Sequence, residues 1–131
     1  MRLIHSLLLS FTLACSGCVC MFVPCDRRVH VSGHVFDSQH KPIGHAKVEF
    51  YGSTQETDER GCFYFGGLLA APGFNVTVSK SGYKPYREGK EFDYYDIEVT
   101  LAPDNSNQQS SGSWRKLNEE ELSKYRTCSG S

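Results

Sequence analysis

A period of two constrains this chain more than any other feature. From Val29 to Pro103 apolar side chains recur at alternate positions in short bursts, and each burst stops at glycine, proline or small polar residues. Successive side chains of an extended strand point to opposite faces, so this pattern buries one face and wets the other. The stretch Thr57-Asp58-Glu59-Arg60-Gly61-Cys62-Phe63-Tyr64-Phe65 shows it most clearly. A polar turn closes on Gly61, where a residue without a Cβ enters positive φ at no steric cost. Phe63 and Phe65 then share one side of a strand, Cys62 and Tyr64 the other.

Four more strands are predicted on the same grounds. The first runs over 29–36, with Val29, Val31, Gly33 and Val35 on one face and His30, Ser32, His34 and Phe36 on the other. The second, 46–51, turns Ala46, Val48 and Phe50 inward. After a polar loop over 52–61 comes the strand that opens at Cys62. A strand over 74–80 buries Phe74, Val76 and Val78, and one over 94–102 buries Tyr95, Ile97, Val99 and Leu101. Short alternating strands at a spacing of about 8–12 residues, with no helical period, predict a sandwich or barrel. The expected core is Val29, Val31, Val35, Val48, Phe50, Phe63, Phe65, Phe74, Val76, Val78, Ile97, Val99 and Leu101. A length of 131 residues suits one such domain.

Several of these pieces, in order, carry a resemblance. They are Val31-Ser32-Gly33-His34-Val35-Phe36-Asp37, Pro42-Ile43-Gly44-His45-Ala46-Lys47-Val48, the Thr57–Phe65 stretch, Phe74-Asn75-Val76-Thr77-Val78-Ser79-Lys80-Ser81-Gly82-Tyr83 and Val99-Thr100-Leu101-Ala102-Pro103. Together they resemble the carboxypeptidase regulatory-like family, over more than half of the chain. The resemblance implies a small all-β, transthyretin-like (prealbumin-like) antiparallel β-sandwich over 29–103, used as an accessory module. A fold does not fix an activity. Transthyretin-like hydroxyisourate hydrolases share the general sandwich, but their C-terminal Tyr-Arg-Gly-Ser signature is only approximated by Tyr125-Arg126-Thr127-Cys128-Ser129-Gly130-Ser131.

The ends differ from the middle. Ser6 to Ala14 is an apolar run after a weakly basic start, too short to span a bilayer, and it reads as the core of a signal peptide over 1–14. Thr12-Leu13-Ala14-Cys15 resembles the lipobox of bacterial lipoproteins, which implies diacylglyceryl and acyl chains on Cys15. Cys18, after Gly17, is the alternative. Each buried methylene contributes about 0.8 kcal/mol to such anchoring. Ser16 is not the aspartate that retains lipoproteins at the inner membrane, so the resemblance implies the cell envelope and the outer membrane, facing the periplasm. Residues 15–28 read as a linker. Residues 104–131 read as a flexible polar tail with a short helix within 114–126, capped by Asn118 with Glu121 three residues on.

The six cysteines are Cys15, Cys18, Cys20, Cys25, Cys62 and Cys128. An envelope compartment permits disulfides, but spacing does not reveal connectivity. A bridge from Cys62 or Cys128 to the N-terminal cysteines would tether an end of the chain. His30 and His34 share a strand face, yet no spacing fixes three convergent metal ligands, so no metal or cofactor is expected. No catalytic set is nominated: a triad needs three residues in register, and no G-x-S-x-G turn is present. The net charge of −1 has no basic stripe to neutralise phosphates, which argues against a nucleic-acid partner. Tyrosines exceed what the core needs, and Tyr51, Tyr64, Tyr86 and Tyr94 are the candidate ligand-binding face. The expected function is therefore a non-catalytic, lipid-anchored structural or protein-interaction module. A carbohydrate- or peptidoglycan-binding module is the alternative, with an envelope protein or glycan as partner.

Overall fold

A computed structural model of the chain describes residues 27–69, 73–91, 93–124 and 128. The expected signal peptide and Cys15, Cys18, Cys20 and Cys25 lie outside the described residues. Eight strands and one helix form: β1 (Arg27–Asp37), β2 (Lys47–Phe50), β3 (Ser53–Glu56), β4 (Cys62–Leu69), β5 (Gly73–Ser79), β6 (Tyr86–Glu91), β7 (Tyr94–Leu101), β8 (Ser111–Lys116) and α1 (Glu119–Lys124). They make two four-stranded sheets, ordered β4-β1-β7-β8 and β3-β2-β5-β6. This is the small β-sandwich that the alternation predicts. All pairs are antiparallel except the central β1 and β7, which run parallel from His30↔Tyr94 to Asp37↔Leu101.

The core lies between the sheets where the alternation puts it. Every residue of the expected core is buried, and Val31, Val35, Val48, Val76, Val78, Val99 and Leu101 are inaccessible to solvent. Phe50 stands at the centre of an aromatic group, with ring centroids 5.0 Å from both Phe65 and Phe74. Ile43 and Tyr86 join this cluster, while Tyr95 and Trp114 pack against its margin.

The turn at Asp58 shows how polar residues set the register of β4. Its Oδ1 accepts the amides of Arg60 and Cys62, each at 2.9 Å, and its carbonyl accepts the Gly61 amide. Gly61 has φ +75°, the conformation its place in the turn requires. Next to it, buried Thr57 donates its hydroxyl to the Ile43 carbonyl at 2.7 Å and accepts the Ala46 amide at 2.9 Å. One side chain thus ties the β1–β2 connection to the entry of β4, giving two backbone groups of this junction a partner.

Two strands, β3 and β8, lie where polar loop or tail is expected, and a third, β6, lies in a stretch for which no strand is predicted. β3 occupies part of the 52–61 loop and pairs with β2 across the two-residue turn Tyr51-Gly52, both at positive φ. β6 follows Pro85. β8 lies within the segment expected as a flexible tail and pairs with β7 from Thr100↔Ser111 to Tyr95↔Lys116. The helix expected within 114–126 is correspondingly short, because Trp114 belongs to β8. Its cap is the expected one: the Asn118 side chain accepts the Glu121 amide at 2.8 Å, and the Glu121 carboxylate accepts the Asn118 amide at 3.0 Å. No helix among the described residues is long and apolar enough to cross a membrane.

Candidate functional site

The outer face of the first sheet carries the most chemically distinctive cluster. In β1 the side chains opposite the core face are His30, Ser32, His34 and Phe36, and the β1–β4 register sets His34 directly across from Cys62. Beyond β8, Cys128 lies against this face. The Leu117 amide donates to the Tyr94 carbonyl at 2.8 Å. By Cys128 the chain has reached β1, with Sγ 3.5 Å from the Gly33 carbonyl oxygen. There Cys128 forms a disulfide with Cys62, with Cα atoms 5.2 Å apart.

His34 stands against this bond. Its Nε2 lies 3.1 Å from Cys62 Sγ and 3.4 Å from Cys128 Sγ. Both cysteines are buried while His34 is half-buried, so the imidazole forms the wet side of the site. Its ring continues into a stack: Phe36 is 5.9 Å away, centroid to centroid, and His40 lies 4.2 Å beyond Phe36. His40 closes the row beside Glu98 at 3.8 Å. Under the site, Asp58 fixes the Cys62 amide. Burial pushes the Asp58 carboxyl up, but the Cys62 amide and the side chain and amide of Arg60 outweigh it and hold the group below the usual carboxylate range.

One expectation about chemistry changes here. A bridge from Cys62 or Cys128 to the N-terminal cysteines is replaced by a bridge between the two. Three possible donors, which no spacing in the sequence brings together, also converge here. His34, Cys62 and Cys128 each offer an atom, all within 4.8 Å of one another: strand register aligns the first two, and Cys128 adds the third. His30 is not part of the set; its ring lies 4.9 Å from Tyr64 and 6.5 Å from Tyr94.

The four candidate tyrosines do not make one face. Tyr51 is exposed at the β2–β3 turn. Tyr64 and Tyr94 flank His30 on the first sheet. Tyr86 is buried, which removes it from any ligand-binding surface. Its hydroxyl donates to Glu88 at 2.5 Å and accepts the Trp114 indole N–H at 2.7 Å; the indole is also 2.9 Å from the same Glu88 oxygen. Lys90 reaches Glu88 at 3.0 Å and stands 5.5 Å from the centre of the Trp114 ring. This group joins β6 of one sheet to β8 of the other and closes one side of the sandwich.

No family model matches the chain, and no curated protein does. Among solved structures, 3-chlorocatechol 1,2-dioxygenase from Rhodococcus opacus is similar, at 12% identity and a TM-score of 0.49, over 59% of this chain and 60% of that one. A protein from Bacteroides fragilis, described as membrane-associated and of unknown function, is similar at 18% identity and a TM-score of 0.44, over 63% of this chain and 30% of that one. 5-Hydroxyisourate hydrolase from Klebsiella pneumoniae is similar at 15% identity and a TM-score of 0.47, over 69% of this chain and 94% of that one. The first two likenesses thus span less than two thirds of those proteins.

Proposed function

We propose that the chain is a lipid-anchored protein of the cell envelope. Its sandwich is a non-catalytic structural or protein-interaction module of the carboxypeptidase regulatory-like kind. The observation that supports this reading is the Cys62–Cys128 disulfide, which clamps the C-terminal segment onto the sandwich. Such bonds persist in oxidising compartments and are rare where glutathione and thioredoxin keep thiols reduced. An apolar N-terminal run ending at Cys15 is the matching export signal. The anchor attaches through Cys15, with Cys18 as the alternative, and the sandwich stands at the outer membrane facing the periplasm.

Fatty-acid labelling in cells tests the reading. Label enters the wild-type protein and is lost on Cys15→Ala or, if the alternative holds, on Cys18→Ala. Label that survives both changes refutes the anchor. Crosslinking in the same cells, followed by identification of the trapped chain, tests the interaction role. Turnover of any substrate, abolished by a single His or Cys substitution, would overturn the non-catalytic part.

A further inference from the structure

We propose that, once the Cys62–Cys128 bond is reduced, His34, Cys62 and Cys128 bind one Zn2+ ion. The proposal is independent of lipid attachment and rests on donor chemistry, distances and support. Two cysteine sulfurs and one imidazole nitrogen are the donors zinc prefers, and three protein ligands leave a fourth tetrahedral position for water. Zinc bonds of about 2.3 Å to sulfur and about 2.0 Å to nitrogen put tetrahedral N and S atoms roughly 3.5 Å apart. His34 Nε2 already stands at 3.1 and 3.4 Å from the two sulfurs. Only the sulfur–sulfur edge must lengthen.

The support is uneven in a useful way. Cys62 is held in place: its amide donates to Asp58 Oδ1 at 2.9 Å and its carbonyl accepts the Asp58 amide at 3.1 Å. His34 is held by β1 and by the stacked Phe36 ring. Cys128 belongs to no strand of either sheet, so the sulfur–sulfur edge can open on its side without breaking a ladder. The half-exposed imidazole side gives an ion its way in. Coordination through Nε2 leaves the ring proton on Nδ1.

The chemistry balances with a dithiol as reductant. The dithiol gives two electrons and two protons, the Cys62–Cys128 bond breaks, two thiols form, and the reductant closes to its own disulfide. Zinc then displaces both thiol protons to solvent and bonds two thiolates and one neutral imidazole. The product is uncharged, which suits a site whose two cysteines are buried, because a net charge there would lose hydration. In both states Cys128 stays against β1. The metal and the disulfide are alternative clasps for the same segment.

The test uses the full chain with Cys15, Cys18, Cys20 and Cys25 replaced by serine, since those thiols would compete for metal. The protein is reduced with a phosphine, kept anaerobic and titrated with Co2+ and then Zn2+. The expected result is one equivalent of cobalt with the visible bands of a tetrahedral thiolate site, displaced by zinc. Oxidised protein binds none. Cys62→Ser abolishes the bands, and His34→Ala weakens zinc binding by more than the roughly 10–100-fold cost of losing an outer-shell partner. Absence of the bands, or equal zinc affinity in His34→Ala, overturns the proposal. Far-UV circular dichroism guards against an unfolded reduced chain: zinc must then restore the β signal, and failure to do so counts against the site.

Discussion

Between Val31 and Val35 the inner face of β1 carries Gly33, and the space a side chain would take is already filled. A Cβ there would lie 2.6 Å from Ile97 Cγ2, from the Ile97 carbonyl oxygen and from the Phe63 ring. The carbonyl belongs to the neighbouring strand and cannot swing aside. Gly33→Ala is expected to destabilise the fold by about 1–3 kcal/mol, the usual range for overpacking, as read from the urea midpoint. Glu88 makes a different kind of contribution. The Tyr86 hydroxyl, ahead of Lys90 and the Trp114 indole and against the effect of burial, holds its carboxyl below 4.5. A depressed carboxyl pKa stabilises the fold above the unfolded value, and that stability goes as pH falls through the lowered folded value. Burial, then the bond to Glu88, pushes the Tyr86 hydroxyl above 10.0, so its share is lost as pH rises past the unfolded value. Urea midpoints measured against pH should therefore fall below about pH 4 and again above about pH 10. Glu88→Gln should flatten the acid limb, and Tyr86→Phe the alkaline one.

β8 is the element whose presence changes the molecule most. It pairs with β7 and sets Trp114 beside Phe74 and Tyr95, with ring centroids 6.1 and 5.3 Å away. Gly112 lets it approach β6, since a Cβ there would collide with the Tyr86 hydroxyl. A flexible tail would tolerate Trp114→Ala without effect. As part of this strand, the same change should cost about 2–3 kcal/mol in urea unfolding, less than a fully buried tryptophan because one flank stays wet. β3, β6 and β8 have a further trait in common: each is an edge strand. Their residues are mostly polar, which discourages pairing with strands of other chains. The same polarity hides them from a reading of apolar alternation. β3 has all four residues exposed, and β6 buries only Tyr86 fully.

The disulfide operates across the full length of the sandwich. It joins residues separated by 66 positions, closing a loop that contains five strands of the fold, β4 to β8, and the helix α1. On the chain-entropy account a loop of this length is stabilised by about 4 kcal/mol at 25 °C. Cys128→Ser should lower the unfolding free energy by up to that amount, with the sandwich still folded by near- and far-UV circular dichroism. The bond also explains why the C-terminal region is part of the domain. Two anchors, the β8 ladder and Cys128, hold it to the first sheet.

The order of amino acids was enough to find the sandwich, its inner face and the helix cap. Each depends on neighbours in the chain: side chains alternate residue by residue, and Asn118 meets Glu121 within one turn. The turn at Gly61 was legible for the same reason. Three strands and the His34–Cys62–Cys128 cluster were not. These three edge strands, unlike β4, draw their order mainly from backbone hydrogen bonds to a partner, which leave no apolar period behind. The cluster unites a residue of β1, a residue of β4 and a residue from beyond β8. Only the register that places His34 opposite Cys62, and the fold that sets Cys128 against that face, could put them together.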